Sequence, residues 1–354
     1  MDKVYLILEN GDKFEGYGVG ARGDVIGEVV FTTSMGGYLE TVADPTYSGQ
    51  IVVQTFPLIG NYGDIPEDYD PASIKLSGYV CRELCEDPSN FRCKGKFGDM
   101  LVKNGVVAIC GVDTRHLTKT IRENGVMNGI ITSNPDPDAA TMKKVREYRI
   151  KGAVADASCK KKETFGEGSG NIAVVDYGES ANLVAEFVKR GCKVTRFPHD
   201  AKAEDVLASK PDGIVLSGGP GDPADCKTEA EQADKLLKAG IPMLAVSLGH
   251  QILALSQGGT TYKLKYGHRG GNQPVKETFG DRIFITSQNH GYAVDNNAIP
   301  ANAKLLYVNA NDGTCEGLSY KNAVSVQFHP EECGGPLDTQ FIIENFIAKT
   351  EEKR

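Results

Sequence analysis

The feature that most constrains the fold is a regular alternation of short apolar runs with longer helical runs, which begins near Asn171. The predicted strands are 172–175, 193–197, 213–216 and 243–246, and the predicted helices are 181–190, 203–209, 229–239 and 248–257. This order is typical of α/β proteins with a doubly wound, mostly parallel sheet that has helices on both faces. Ligands of such sheets bind outside the carboxyl ends of the strands. We therefore expect the functional residues of this half of the chain where its strands end.

The amino-terminal part of the chain has a different pattern. Residues 1–153 are rich in strand-like runs, and an Asn10-Gly11 pair between the first two runs predicts a β-hairpin. A helix is predicted for residues 138–148. Residues 154–170 are charged and glycine-rich with little to bury, which favours a linker or an exposed loop. The sequence therefore predicts a strand-rich α+β domain at 1–153, a linker at 154–170 and a doubly wound domain at 171–354.

Composition limits the function classes. A chain of 354 residues is long enough for two hydrophobic cores, and its net charge of −8 argues against nucleic acid or an anionic membrane surface as a partner. A strand-like run follows Asp2-Lys3 directly, and no apolar run reaches the ~18 residues of a membrane-spanning helix, so we expect neither a signal peptide nor a membrane anchor. Nine scattered cysteines suit a reducing cytoplasm, and Cys81, Cys85 and Cys93 lack metal-site spacing. We expect a cytoplasmic protein without a metal.

The junction between the predicted strand 243–246 and the helix after it holds a single residue, Ser247. A strand, a one-residue elbow and a helix present a nucleophile at the carboxyl edge of a parallel sheet. The positive end of the helix dipole and its free N–H groups can stabilise an anionic nucleophile and an oxyanion there. The alternative interpretation is that Ser247 is only a helix N-cap, because serine is a favoured cap. This segment alone does not decide between the two.

A glycine loop follows the predicted strand 213–216. Gly218, Gly219 and Gly221 are interleaved with Pro220 and Pro223, which makes a stiff loop with little side-chain bulk. Such a loop can approach a substrate closely and supply a second N–H group to an oxyanion. The alternative is an ordinary strand-to-helix turn.

A histidine and a carboxylate end another apolar run late in the chain. His329 follows the run 326–328, and Glu331 lies two residues further on, after Pro330. Glu331 would orient His329, which would act as general base and acid for the nucleophile. Taken alone, the pair is equally compatible with two charged surface residues.

Together, these three segments resemble the triad, or class I, glutamine amidotransferases. The family pattern is Cys-Leu-Gly-His-Gln, then Gly-Pro-Gly-Asp-Pro and a late His-Pro-Glu, and only the cysteine is replaced, by Ser247. More narrowly, the chain is similar to the small-subunit family of glutamine-dependent carbamoyl-phosphate synthetases. This similarity is carried by segments in both halves of the chain: 33–38, 45–50, 60–63, 111–115, 267–275 and 288–295. The resemblance covers nearly the whole chain.

The resemblance implies a role for individual residues. Ser247 takes the nucleophile position, His329 and Glu331 complete the triad, and the N–H groups of Leu248 and Gly219 form the oxyanion hole. Glutamine would be held by the following residues, of which the first belongs to the amino-terminal domain: Ser48, Gly219, Gly221, Leu248, Gln251, Asn289, Gly291 and Tyr292.

Two positions depart from the family pattern. Ser180 stands where the family usually has a lysine, so the role of that lysine is in doubt here. Ser247 is the larger departure, because a hydroxyl must lose its proton during attack whereas a thiol is partly ionised near neutral pH. Loss of a nucleophile in a well-studied protease costs about 10⁶ in kcat, so we expect hydrolysis to be impaired by several orders of magnitude.

The resemblance also implies a partner. The chain would form a heterodimer with a large synthetase subunit that uses ATP and Mg²⁺, and would supply it with ammonia for carbamoyl phosphate in arginine and pyrimidine synthesis. Residues 18–23 fit a dinucleotide-binding pattern, but no helical run follows, so no cofactor is expected in this chain. Two alternatives remain open: a non-hydrolysing glutamine-binding or docking subunit, and a serine hydrolase that acts on another amide or ester.

Overall fold

The computed structural model describes residues 2–179, 181–331 and 335–352, and Ser180, one of the two departures from the family pattern, lies outside them. The chain divides into two compact units, Met1–Ala153 and Val154–Arg354. Within the described ranges, no helix is both long and apolar enough to cross a membrane.

The first unit is a closed barrel of seven strands with helices packed against it. The strands of this unit are β1 (Lys3–Leu8), β2 (Lys13–Gly18), β3 (Val25–Thr32), β4 (Gln50–Gln54), β5 (Leu58–Ile59), β6 (Gly78–Val80), β7 (Glu83–Leu84), β8 (Val107–Cys110) and β9 (Met127–Thr132). The helices are α1 (Tyr38–Val42), α2 (Phe97–Lys103), α3 (Thr114–Asn124) and α4 (Ala139–Glu147). The barrel order is β1-β2-β8-β6-β4-β3-β9.

Local signals in the first unit were interpreted correctly, and its closure was not predicted. β1 and β2 form the antiparallel hairpin that Asn10-Gly11 indicates. α4 falls within the predicted helix, where the Asp138 carboxylate caps it by accepting from the Thr141 N–H at 2.7 Å. The pairs β3–β4, β4–β6 and β6–β8 are parallel and join segments distant in sequence. Parallel pairs of this kind have no turn between them that could be recognised in the sequence. The periodicity of apolar residues therefore predicted the strands but not their closure into a barrel.

The second unit is built on one ten-stranded sheet. Its strands are β10 (Glu163–Phe165), β11 (Gly170–Asp176), β12 (Cys192–Pro198), β13 (Gly213–Leu216), β14 (Met243–Val246), β15 (Thr261–Glu277), β16 (Ile283–Val294), β17 (Lys304–Asn309), β18 (Cys315–Ser319) and β19 (Ala323–Val326). Its helices are α5 (Ala153–Ala157), which begins at the boundary of the units, α6 (Ala181–Lys189), α7 (Ala203–Ala208), α8 (Lys227–Lys238), α9 (Leu248–Ser256) and α10 (Phe341–Glu351).

The sheet is parallel in its centre and antiparallel at both sides, with one antiparallel strand, β10, at one edge and four at the other. Its order is β10-β12-β11-β13-β14-β19-β18-β17-β15-β16. The five strands from β12 to β19 are parallel, as the β-α alternation predicts. The four strands from β18 to β16 pair antiparallel and were not predicted, so "mostly parallel" describes only the central part. These strands carry many polar residues, and they are held by pairing with each other rather than by crossover helices.

The central strands are buried on both faces. Ala173 and Val175 of β11 belong to one hydrophobic cluster, with residues of α7, α8 and α9. Ile172 and Val174 of the same strand belong to a second cluster, with residues of α6 and α10. Because side chains alternate along a strand, the two clusters lie on opposite faces of the sheet. The central part is therefore doubly wound, and the carboxyl ends of its strands are left for function.

The segment 154–170, predicted as a linker, is instead part of the second unit. It contains most of α5 and the edge strand β10, which pairs antiparallel with β12. Arg196 of β12 forms an ion pair with Glu163, and its guanidinium lies 5.2 Å from the ring centroid of Phe165. Because Arg196 lies about thirty positions further along the chain, the composition of residues 154–170 gave no sign of these contacts and suggested a loop.

Candidate active site

Ser247 forms a strained elbow between β14 and α9. Its φ of 51° and ψ of −112° put a residue with a side chain in a region that favours glycine. Such strain costs about 1–3 kcal/mol and persists where the surrounding structure enforces it. Ser247 occupies the N-cap position of α9, but its side chain makes no capping hydrogen bond, so capping does not explain the serine. The elbow instead has the geometry that directs a side chain away from the sheet edge.

The glycine loop after β13 is fastened against the first turn of α9. The Ser217 carbonyl accepts a hydrogen bond from the Gly249 N–H at 3.0 Å, and its hydroxyl accepts one from the Tyr177 N–H at 2.9 Å. A Cβ on Gly219 would lie 2.2 Å from the Tyr177 carbonyl oxygen and 3.1 Å from the Leu248 side chain. Glycine is therefore required at 219 by close approach of the backbone, a requirement that a substrate-binding loop and an ordinary tight turn share.

Two more features of the loop agree with a site that binds through its backbone. Gly221 has a φ of 95°, which a residue with a side chain rarely adopts. Leu248 is the first residue of α9, so its N–H has no carbonyl one turn earlier to donate to. Gly219 lies next to the Leu248 side chain, and the pairing of the two N–H groups in an oxyanion hole remains a prediction.

His329 and Glu331 lie just beyond β19, the strand that pairs with β14. Val246 faces Val326 in the parallel ladder, and the Ser247 N–H donates to the Val326 carbonyl at 2.8 Å. The elbow and the histidine therefore follow the ends of adjacent strands. His329 Nδ1 lies 3.0 Å from Glu331 Oε1, and both side chains are buried, which excludes the interpretation as a surface pair.

The carboxylate decides which nitrogen of His329 can act as a base. Since an ionised carboxylate only accepts, Nδ1–H donates to Glu331, and Nε2 is left as the basic nitrogen. His250, in the first turns of α9, cannot take this role. It is completely buried, its Nδ1 is hydrogen-bonded to Ser325 Oγ at 2.8 Å, and burial lowers its pKa to about 3. Of these two histidines, only His329 has the orienting carboxylate of a triad.

Glu179 is a neighbour of the triad that the sequence analysis missed. Its carboxylate lies 3.5 Å from His329 Nδ1, and its backbone N–H donates to the Gly218 carbonyl at 3.1 Å. A Cβ on Gly218 would lie 2.3 Å from Glu179 Oε2 and 3.3 Å from His329 Cε1. The available signal was its position after β11, because β11 and β13 are adjacent parallel strands whose carboxyl ends meet at one edge.

The predicted glutamine-binding residues of the second unit lie on α9 and β16. Gln251 Nε2 donates to the Tyr292 carbonyl at 2.7 Å and to Gln327 Oε1 at 2.8 Å, which ties α9 to β16 and to the segment after β19. Both of its N–H groups are thus used inside the protein, so a direct contact to a ligand would come from Oε1. Asn289 faces Arg269 across the β15–β16 ladder, and Gly291 is two residues further along β16.

Ser48 belongs to the first unit. It is half-buried, and its N–H donates to the Pro45 carbonyl at 3.0 Å in the turn before β4. Its contact with glutamine remains a prediction from the family resemblance.

Comparison with known sequence families covers both units. Residues 6–131 match the family described as "Carbamoyl-phosphate synthase small chain, CPSase domain", and residues 173–349 match "Glutamine amidotransferase class-I". Among similar proteins, the carbamoyl phosphate synthase small chain of Clostridium perfringens is 46% identical over 98% of this chain and 99% of its own length. That of Syntrophotalea carbinolica is 43% identical over 99% of both chains. That of Staphylococcus haemolyticus is 40% identical over 99% of this chain and 97% of its own. The chain therefore belongs to the carbamoyl phosphate synthase small chains, a family with a class I glutamine amidotransferase domain.

Proposed function

We propose that this chain binds glutamine at the elbow of its second unit and, when the nucleophile is a thiol, hydrolyses it to supply ammonia to a large synthetase subunit. The observation that carries the proposal is the strained elbow at Ser247, which stands beside the buried His329–Glu331 pair at the ends of two adjacent strands. A helix cap has no need of positive φ, and a charged pair on a surface has no need of burial. A site that holds a nucleophile and its base needs both.

The reaction follows from the role of each group. The nucleophile attacks the side-chain carbonyl carbon of glutamine, and its proton passes to His329 Nε2, while Glu331 holds the imidazole in the required tautomer. The N–H groups of Leu248 and Gly219 stabilise the oxyanion of the tetrahedral intermediate. His329 then gives the proton to the leaving nitrogen, so that ammonia departs and a glutamyl-enzyme remains. Water, activated by the same histidine, releases glutamate.

Ser247 makes the first step slow. A serine hydroxyl is almost entirely protonated near neutral pH, so the whole proton transfer must accompany attack, whereas a thiol beside an imidazole is partly ionised before attack. The site keeps its binding elements, and the chain as it stands therefore binds glutamine with little turnover. A non-hydrolysing glutamine-binding or docking subunit is the second candidate, and the serine itself is the observation that favours it. No observation favours a serine hydrolase of other substrates.

The partner follows from the family. The relatives are small chains of carbamoyl phosphate synthase, so the ammonia is proposed to pass to a large subunit that uses ATP and Mg²⁺ to make carbamoyl phosphate for the arginine and pyrimidine pathways. Free ammonia is largely protonated near neutral pH and is then not nucleophilic. An enclosed path between the subunits would keep it reactive. A biosynthetic role of this kind agrees with a cytoplasmic location.

The test is glutamate release by the chain and by its Ser247→Cys variant, each with and without the large subunit. We expect the cysteine form to be faster by at least about 10³-fold, because only the nucleophile differs. Ser256→Cys, at the other end of α9, is the matched control for an added thiol and should leave the rate at the parental level. Equal rates of the parent and of Ser247→Cys, in the complex as well as alone, would contradict the proposed function.

A further inference from the structure

A buried polar network outside the triad surrounds Glu316, on β18. The Glu316 side chain is completely buried, and its carboxylate accepts hydrogen bonds from Gln288 Nε2 at 3.0 Å and Asn309 Nδ2 at 3.3 Å. His268 Nδ1 lies 3.3 Å from the same carboxylate. A buried carboxylate that lost such partners would be strongly destabilising. The converging donors compensate for the burial of the carboxylate.

His268, on β15, is held between two carboxylates. Its Nε2 lies 2.8 Å from Asp312 Oδ2, and its Nδ1 faces Glu316. Each ring nitrogen has a carboxylate oxygen as its nearest partner, which favours the doubly protonated imidazolium, and the Asn309 Nδ2 amide lies further from Nδ1, at 3.5 Å. Burial acts to lower the pKa of His268, but the hydrogen bonds to Asp312 and Glu316 outweigh it and raise that pKa to about 9. Burial also raises the pKa of Glu316, and the hydrogen bonds from His268 and Asn309 act against that rise. His268 is thus held by two carboxylates inside the antiparallel part of the sheet.

The network continues to the predicted substrate-binding segment, residues 289–292. Gln288 Oε1 lies 3.0 Å from His290 Nε2, and His290 Nδ1 lies 2.8 Å from the Tyr292 carbonyl oxygen. The same carbonyl accepts from Gln251 on α9, the helix that begins after Ser247. Burial and the neighbouring charge of His268 lower the pKa of His290, so its ring is neutral and donates to only one of these two oxygens. Hydrogen bonds therefore connect the His268–Glu316 pair to β16 through Gln288, and the His290 ring lies against the carbonyl that Gln251 also contacts.

The geometry of β16 shows what this connection can control. Side chains alternate along a strand, so Gln288 and His290 point to the face that carries the network, and Asn289 points to the other. Fixing the two neighbours of Asn289 restrains the backbone of the strand at Asn289 and therefore the direction in which its side chain leaves the strand. Asn289 itself has no need to touch the network for this effect.

We propose that His268 and Glu316 are positioning residues for glutamine binding: they hold Gln288 and His290, and thereby set the orientation of Asn289 and of the backbone at Gly291 and Tyr292. This inference rests on the proposed function. The pair does not touch the reacting atoms, so its loss should weaken glutamine binding and leave the chemical step nearly unchanged.

The experiment measures glutamine affinity by calorimetry for the chain and its Glu316→Gln, His268→Asn and double variants. We expect each single variant to bind glutamine about tenfold more weakly, and the double variant to lose less than the product of the two, because the residues act on one network. In the Ser247→Cys background, KM should rise about tenfold while kcat stays within about threefold. A role limited to stability would move neither KM nor affinity in the folded protein.

Two further variants keep the test informative. Glu229, on α8, forms another histidine–glutamate pair, in which its Oε1 lies 2.8 Å from His199 Nδ1. Glu229→Gln removes this carboxylate and should leave glutamine affinity unchanged. Asp312→Asn removes the half-exposed end of the network, which the fold tolerates more easily, and should weaken affinity about two- to threefold. If the folded Glu316→Gln and Asp312→Asn variants bind glutamine as tightly as the parent, this inference is wrong, while the proposed function is unaffected. Absence of glutamine binding by both the parent and Ser247→Cys would overturn the proposed function and the inference with it.

Discussion

At the scale of the single residue, the backbone of Ser247 and the close packing of the glycine loop limit which residues these positions can hold. Ser247 has a φ of 51°. Two features restrain its backbone: the hydrogen bond from its N–H to the Val326 carbonyl, and the start of α9 one residue later. The glycine loop then passes so close to Tyr177 that a single Cβ at position 219 would overlap its carbonyl oxygen. Strain and close approach at adjacent positions are typical of a site whose geometry is set for chemistry.

Binding and chemistry should separate at this scale. His329→Asn should change glutamine affinity by no more than about threefold, because the imidazole acts mainly on the transition state. Gly219→Val should weaken binding by at least about tenfold, because its side chain would displace the loop from Tyr177. Calorimetric titration of glutamine into folded variants measures both effects. Gly95→Val is the control, since a Cβ there meets nothing closer than 3.9 Å. If His329→Asn loses glutamine binding and Gly219→Val retains it, the assignment of His329 to chemistry and of Gly219 to binding is wrong.

At the scale of the element, helices and central strands were predictable and the antiparallel strands were not. The bounds predicted for the strands 213–216 and 243–246 agree with β13 and β14, because these are short apolar runs between clear turn signals. β15 and β16 form a long ladder with two register shifts and hold many polar residues on a buried face. Their pattern resembles an exposed segment, since the partners that satisfy those polar groups come from elsewhere in the sheet.

The buried His268 in these strands makes the stability of the protein depend on pH. The pKa of His268 is about 9 in the folded protein against 6.5 ordinarily, so its contribution is complete below about pH 6.5 and is lost as the pH rises through about 9. His268→Asn should lower the free energy of unfolding by on the order of 1–3 kcal/mol at pH 6 and have little effect at pH 10. The melting temperatures of parent and variant should therefore differ by roughly 2–8 °C at pH 6 and converge at high pH. A difference that stays constant from pH 6 to pH 10 would show that the charge of His268 plays no part.

At the scale of the whole molecule, two units with different architectures serve one proposed task. The second unit holds the predicted triad, and the first is a barrel for which the sequence analysis found no chemistry of its own. Both units match small chains of carbamoyl phosphate synthase along nearly their whole length. The role of the barrel in assembly and the contribution of Ser48 to glutamine binding remain predictions from the family resemblance.

Assembly is the prediction at this scale. We expect the chain to co-elute with the cognate large subunit in size-exclusion chromatography at micromolar concentration, as relatives named small chains imply. Ser247→Cys should elute in the same complex, because a buried nucleophile contributes nothing to a surface contact. Separate elution of the two subunits would count against the partner, whatever the glutaminase activity of the chain.

The sequence by itself determined those features of the protein that depend on neighbours along the chain. The periodicity of apolar residues and the positions of turn-forming residues located the hairpin of the first unit. They also located the central strands and the helices of the second unit. The three motifs located the elbow, the glycine loop and the histidine, and so the family. These signals act over a few residues, where side-chain alternation and backbone preference are local properties.

Only the tertiary structure decided what depends on residues far apart in the chain. It closed the first unit into a barrel, made residues 163–165 an edge strand and placed the antiparallel strands beside β19. It also brought Glu179 to His329 and His268 to Glu316, contacts for which no local pattern exists. The physical reason is that the stability of a paired strand or a buried charge depends on a partner segment distant in sequence. The interaction free energy of the two segments cannot be read from either segment alone.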